Sequence, residues 1–351
     1  MLKVKFENSD ELLRVLRTAE NILSVNTAEN KLKFIKLSNI DGKLQICARN
    51  PHMRIYYIYN NISSIEGTAG LYDYKTLISL LGVIQGEVTI NDGAIKCAKC
   101  SYKIPCVDDS GYPEDILPEI TNYAEVDGKE FITSLEKVFP ATDKILNGAM
   151  SGVYMNNNKL LACDSKRIVI HNLLLNESIN NITLPKDLVK ELLRLPLKDK
   201  IYLTQFGENI IVQDENITIM CARLTDQYPK VEQLLPSDVN NEISIKNEDL
   251  YNALVMITPI MGDDVKQCYL KYDNEKMFIS ADNGVDSAVT DINIQVKNNI
   301  DEKIEAKFNA QLLMDMLRAS NKEIKMETFN DNIGYKFISD SVMQYIMPMI
   351  N

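Results

Sequence analysis

Arg223-Leu-Thr-Asp-Gln-Tyr-Pro-Lys-Val-Glu-Gln-Leu-Leu-Pro236 has a shorter counterpart upstream, Asp109-Ser-Gly-Tyr-Pro-Glu-Asp-Ile-Leu-Pro118. The pairs Tyr112-Pro113 and Tyr228-Pro229 stand 116 residues apart, and each leads within a few residues to Leu-Pro. A third copy falls due near residue 344, where the chain reads Gln344-Tyr-Ile-Met-Pro-Met-Ile-Asn351. A fixed period of that size marks repeated units and takes precedence over any local reading.

Working outward, other landmarks keep the period. Leu12, Leu13, Val15, Leu16, Ala19, Ile22 and Leu23 form one apolar face, which predicts a helix over Glu11–Asn21 with Ser9 as its N-cap. Phe131 follows Leu12 by 119 residues, and Leu250 follows Phe131 by 119, so the helix recurs at Lys129–Phe139 and again around Leu250. A second helix is predicted at Tyr74–Leu81, Lys186–Leu195 and Ala310–Ala319. A turn recurs between the helices: Cys47-Ala-Arg-Asn, Ala162-Cys-Asp-Ser and Ser280-Ala-Asp-Asn. Short alternating runs such as Lys43–Ala48, Arg54–Tyr59, Tyr102–Val107, Lys200–Thr204 and Ile217–Ala222 read as strands. The chain therefore divides into three α+β domains, about 1–122, 123–241 and 242–351. Each has two helices and roughly eight strands, and two helices cannot cover both faces of so many. Both helices are expected on one face of antiparallel sheet.

Composition narrows the function classes. The chain has 351 residues, a formal charge of −11 and seven cysteines, scattered mostly inside apolar runs. Free thiols in a reducing cytoplasm fit that odd number better than a disulfide framework. No apolar run is long enough to span a membrane. The negative charge argues against a broad basic nucleic-acid face. It is uneven, however: the predicted helices and their flanks carry 13 basic and 12 acidic residues, and the remainder, with 25 basic and 37 acidic, carries all the excess acid.

At this point the chain resembles the bacterial sliding clamp, the β subunit of the replicative DNA polymerase. The residues that carry the resemblance are Leu224-Thr-Asp-Gln-Tyr-Pro with Leu-Leu-Pro236, Cys163-Asp-Ser-Lys-Arg-Ile168, Phe308-Asn-Ala-Gln-Leu-Leu, and Met347-Pro-Met349. The resemblance implies a head-to-tail homodimeric ring that encircles duplex DNA without sequence preference and tethers the polymerase. It implies no chemistry and no cofactor. Clamp loader, polymerases and repair factors would dock short peptides in a groove. By position that groove takes Met150, Cys163, Ser165, Lys166, Arg167, Ile168, Pro229, Leu234, Tyr345, Met347, Pro348 and Met349. DNA-facing candidates are Arg14, Arg17, Lys137, Lys144, Lys190, Arg194, Arg318 and Lys322, with Lys75 a weaker one. Ring closure is expected to use Tyr102 and Ile104 on one side, Ile260 and Met261 on the other. Ser165, Lys166, Gln233 and Ile350 depart from the family pattern, as does Ser24–Asn30 in place of a Pro-rich loop.

Two other readings stand beside the clamp. One is a metal-dependent DNA-processing enzyme, using Asp263-Asp264 or Asp108-Asp109. The other is a peptide-binding repeat scaffold that never meets DNA. Cys97-Ala-Lys-Cys100 with Cys106 lacks a second pair at zinc-finger spacing, and the two histidines, His52 and His171, are distant in sequence. Buried or half-buried thiols are expected there.

Overall fold

The computed structural model describes residues 2–23, 30–91, 93–107, 109–113, 123–145, 148–173, 181–262, 266–297, 304–329 and 333–349. Asp108, Asp263, Asp264, Ile350, most of Ser24–Asn30 and the Glu114–Pro118 end of the upstream copy lie outside them. The helices are α1 (Ser9–Arg17), α2 (Glu20–Leu23), α3 (Tyr74–Leu81), α4 (Gly128–Val138), α5 (Lys186–Arg194), α6 (Asn247–Ile257) and α7 (Ala310–Ala319). The two helices of each repeat thus form where the apolar spacing predicts them. The first is interrupted: the Thr18 hydroxyl bonds back to the Val15 carbonyl at 2.6 Å, α1 ends, and α2 begins at Glu20. Its N-cap is Asn8, whose side chain accepts from the Asp10 amide. Ser9 is fully buried instead, its hydroxyl donating to the Ile84 carbonyl at 2.7 Å.

The chain forms two compact units. The first holds Met1–Lys129 and Lys190–Arg223. Its five-stranded sheet runs Ser64–Gly67, Leu2–Phe6, Val88–Asn91, Ala94–Cys97, Ser101–Lys103. Its nine-stranded sheet runs Cys106–Val107, Ala69–Asp73, Phe34–Ile40, Lys43–Arg49, Met53–Tyr59, Ile217–Ala222, Asn209–Gln213, Lys200–Phe206, Ala124–Asp127. The run expected as one strand over Tyr102–Val107 is two, split at Ile104-Pro105, because proline offers no amide to a ladder.

The second unit holds Glu130–Val189 and Leu224–Asn351. Its nine-stranded sheet runs Ile182–Leu184, Val153–Asn156, Lys159–Cys163, Arg167–Asn172, Val342–Ile346, Tyr335–Ser339, Glu323–Phe329, Val239–Lys246, Gln295–Val296. A four-stranded sheet runs Ser287–Asn293, Lys276–Asp282, Gln267–Tyr272, Ile304–Asn309. Leu250, Leu254, Ile257, Leu313 and Leu317 from α6 and α7 join Phe308, Tyr272 and Phe337 in its core.

All the pairings are antiparallel, and the strands of each repeat are shared between two sheets. The middle repeat supplies four strands to each nine-stranded sheet, and one of the four pairs with a neighbouring repeat. In the first unit Ile217 faces Tyr57 and Cys221 faces Met53. In the second Val342 faces His171 and Ile346 faces Arg167. The hairpin turns fix the equivalence of these strands. Asn50 and Asp164 each donate their amide to the carbonyl three residues on, Met53 and Arg167, so Tyr57 and His171 occupy the same repeat position. The two seams between repeats therefore share one register.

Candidate functional site: an apolar groove beside the Tyr-Pro segment

The groove lies wholly within the second unit. Tyr228 is its anchor. The chain turns at Asp226–Pro229 and enters a short 3-10 helix, Val231–Leu234, which carries the Tyr228 ring inward and leaves Leu234 outward. The buried Tyr228 hydroxyl accepts from the Cys163 amide at 3.0 Å and lies 3.3 Å from the Cys163 sulfur. Its ring stacks on Tyr154 with centroids 4.7 Å apart and planes 10° from parallel. Burial first, then the neighbouring Cys163, holds its phenol well above the usual range. Burial likewise raises the Cys163 thiol. Both groups are neutral structural elements, and neither is poised for acid–base chemistry.

Around that anchor, Ala149, Leu161, Cys163, Ile168, Ile170, Val231, Phe329 and Tyr345 form one buried cluster, with Met150, Leu235 and Met343 packed on its edge. Beside it opens a cavity of about 370 Å³ lined by Leu234, Pro236, Ser237, Asp238, Phe329, Ile333 and Tyr345. On its wall Leu234 is 70% exposed and Ile333 57%, so two large apolar side chains stand uncovered there; Met347, two residues past Tyr345, is 43% exposed. The Tyr345 ring can lie where it does because residue 334 is glycine: a Cβ there would sit 2.2 Å from the ring.

The structure brings the three sequence-distant segments expected at this site together. The Met347 amide donates to the Lys166 carbonyl at 2.9 Å, extending the Arg167–Asn172 to Val342–Ile346 pairing and fixing the last segment against the Asp164–Arg167 turn. Ser165, Lys166 and Pro229 are exposed, and Pro348 and Met349 are half-buried. Cys163, Ile168 and Tyr345 belong to the buried wall. Arg167 is also buried, paired with Asp164 and Asp315 at 3.2 Å each and donating to the Pro140 carbonyl. It holds the turn in shape and presents no charge to the surface. Sequence reasoning missed Tyr154, Phe329 and Ile333. Tyr154 had a signal in the Tyr-Met alternation of its strand; Phe329 and Ile333 had none, because only strand pairing brings them here.

The cationic candidates fall into two groups. Arg14, Arg17, Lys144, Lys190, Arg318 and Lys322 are exposed, and Lys137 is half-buried. Arg318 and Arg194, although exposed, are engaged: Arg318 pairs with Asp315 at 3.4 Å, and Arg194 pairs with Glu191 at 2.5 Å and donates to the Arg17 and Thr18 carbonyls at the end of α1. Of the expected ring-closure residues, Tyr102 lies half-buried on an edge strand, Ile104 and Met261 are buried, and Ile260 packs against the core. Among the described residues no cluster of three or more metal-ligating side chains occurs, and no helix is long and apolar enough to cross a membrane.

No family model matches the chain. The beta sliding clamp of Helicobacter pylori is 22% identical over 340 residues, covering 91% of this chain and 88% of that protein. The crystal structure of the DNA polymerase sliding clamp from Bacillus subtilis superposes with a TM-score of 0.91 at 16% identity, over 100% of this chain and 99% of that one. The Helicobacter pylori beta clamp bound to a DNA ligase peptide gives 0.87 at 17% identity, over 99% and 100%. The chain has the fold of the DNA polymerase III beta subunits and is related in sequence to the beta sliding clamps over 91% of its length.

Proposed function

We propose that this protein is a non-catalytic DNA sliding clamp, a homodimeric ring of six domains that encircles duplex DNA and tethers a replicative polymerase to it. The domains are the repeats 1–122, 123–241 and 242–351. The observation that carries the ring is the repeated seam. Two repeat-to-repeat joins share one register, and the equivalent strands at the two extremes of the array, Ser101–Lys103 and Ser287–Asn293, end their sheets with no further partner strand among the described residues. Applying that register to two copies sets Tyr102 of one opposite Ala288 of the other, and Ser101 opposite Val289. Val289 is 69% exposed and Met256 on the neighbouring α6 is 69% exposed, apolar surface that a third seam would cover. Of the four residues expected at ring closure, Tyr102 is the one this seam uses directly.

A closed ring needs only weak phosphate contacts. Arg14, Arg17, Lys137, Lys144, Lys190, Arg318 and Lys322 supply them, and the excess acid elsewhere does not oppose them at short range. The groove at Tyr228 captures apolar anchors of linear peptides from the polymerase, the clamp loader and other DNA-processing proteins. The relative that binds a DNA ligase peptide supports this mode of docking.

Sedimentation at micromolar concentration tests the ring: a dimer is expected, and a strict monomer overturns it. Val289→Asp places a carboxylate in the third seam and is expected to weaken the dimer at least about tenfold. Protein loaded on DNA should remain on closed circles and leave linearised ones. Loss from both would favour the peptide scaffold, and metal-dependent cleavage of the circles would favour the enzyme.

A further inference from the structure

Cys97 is half-buried, as the sequence predicts, but Cys100 is exposed, whereas Cys47, Cys163, Cys221 and Cys268 are all buried. In the hairpin that ends the first unit's five-stranded sheet, Ala94 faces Lys103, Ile95 faces Tyr102 and Lys96 faces Ser101. The next pair in that register is Cys97 with Cys100, closing a two-residue turn. The Cys97 amide donates to the Cys100 carbonyl at 2.9 Å, and the Cys97 sulfur lies 3.5 Å from the same oxygen. A turn closed in this way keeps its end Cα atoms within about 7 Å, and a disulfide spans about 4.4–6.8 Å. Lys96, Lys99 and Lys103 flank the pair, all exposed, with no acidic residue between positions 94 and 107. The Tyr102 phenol bonds to Cys100, which raises its own pKa.

We infer that Cys97 and Cys100 form a redox-active dithiol that reacts with small anionic disulfides of the glutathione type. The Cys100 thiolate attacks one sulfur of the small disulfide, giving a mixed disulfide and releasing one small thiol. Cys97 then attacks the Cys100 sulfur, giving the Cys97–Cys100 bond and releasing the second. Two electrons and, in net, two thiol protons pass from the protein to the two small thiols, so the exchange balances without another oxidant. The lysines attract the carboxylates of the reagent. Directly opposed residues stand slightly farther apart at Cβ than a relaxed disulfide allows, so the bond draws the hairpin in and is readily reduced again.

A consequence for assembly rests on the proposed third seam, in which Cys100 of one copy faces Thr290 of the other. The closed ring shields the thiol, and a tripeptide on Cys100 obstructs the edge strand.

The test treats the full reduced chain with oxidised glutathione and maps tryptic peptides. Trypsin cuts after Lys99, so Cys97–Lys99 and Cys100–Lys103 remain joined only through the new bond. The expected result is that linked pair in the wild type, a single tripeptide adduct on Cys100 in Cys97→Ser, and reaction about tenfold slower in Cys100→Ser. Adducts confined to Cys106, or Cys100→Ser reacting at the wild-type rate, would overturn the assignment. Sedimentation of the Cys97→Ser adduct is expected to show a monomer where the reduced form is a dimer, and an unchanged dimer would overturn the obstruction. A chain that is monomeric even when reduced defeats the ring and leaves the linked peptides standing.

Discussion

Tyr112 and Tyr228 are the same residue of the repeat in two different settings. Each hydroxyl points at the sulfur of the cysteine 65 positions before it, Cys47 at 4.0 Å and Cys163 at 3.3 Å. Around Tyr112 the structure is sealed with charge: Lys36 and Arg49 lie over the ring at 5.6 and 5.9 Å, Lys36 pairs with Asp109 at 3.0 Å, and Arg49 donates to the Pro113 carbonyl at 2.9 Å. Around Tyr228 the corresponding space is filled by the Tyr154 ring, with Met150 and Leu235 at the edge and Leu234 exposed beyond. The repeat supplies the scaffold twice. Among the described residues, the copy without the cationic cover is the one with an exposed leucine beside its tyrosine, so the docking site follows from what packs on the tyrosine, not from the tyrosine itself.

Substituting both tyrosines gives the largest expected effects. Tyr228→Ala removes a stacked ring and the bond to Cys163, at a cost of about 3–5 kcal/mol, and should abolish peptide binding. Tyr112→Ala should cost a similar amount in denaturant titration and leave peptide affinity within about twofold. Equal losses of peptide binding in the two variants would break the comparison.

The two seams differ in the same instructive way. At one repeat position the first seam has Tyr57, whose phenol is raised above its usual range by burial and then by Asp214 and Glu11, and the second has His171. His171 is buried, lies 3.0 Å from the Ser341 hydroxyl through Nε2, and is held down to about 4, first by burial and then by the charge of Lys137. Below its ordinary pKa near 6.5 the unfolded chain takes up a proton that the folded chain refuses. Stability present in full above about 6.5 is therefore lost as pH falls toward 4, by about 2–3 kcal/mol. Unfolding free energies measured across that range should show the fall in the wild type and a shallower slope in His171→Leu.

The period and the helix spans were legible because they rest on recurring landmarks and local apolar faces, whereas the middle turn and the first cap were each misread by one position, Ser165 for Asp164 opposite Asn50 and Ser9 for Asn8. Tyr74–Leu81 and Ala310–Ala319 form as helices over the predicted spans for that reason. What escaped was pairing. Nothing in Arg167 or Ile346 says that they lie opposite one another 179 residues apart, so neither the seams nor the place of Phe329 beside Tyr345 could be read. Side-chain fate escaped too. Arg167 read as a groove residue and Arg194 as a DNA-facing cation, yet Asp164 and Asp315 draw the first inward and the carbonyls at the end of α1 capture the second. A charge in a sequence does not reveal whether its counter-charge is already inside the fold.

A smaller effect is expected where the groove depends on one missing methyl group. Gly334→Ala would set a Cβ 2.2 Å from the Tyr345 ring, so the ring must turn toward the cavity. Overpacking of that kind costs about 1–3 kcal/mol, and the displaced ring should weaken peptide binding more than the stability loss alone explains. Retained affinity in a folded Gly334→Ala would place the peptide away from Tyr345.

The smallest effect on the fold is the most discriminating for the groove. Leu234 is 70% exposed, so Leu234→Ala gives up little burial and should change stability by no more than about 0.5 kcal/mol. If a peptide covers that side chain, the apolar contact it loses corresponds to a drop of about fivefold or more in affinity. Val83, 71% exposed just past α3 in the other unit, is the control: Val83→Ala has the same small effect on stability and should leave peptide affinity unchanged. The cost of truncation at Leu234 then measures contact with the partner alone, because the free protein has almost nothing there to lose.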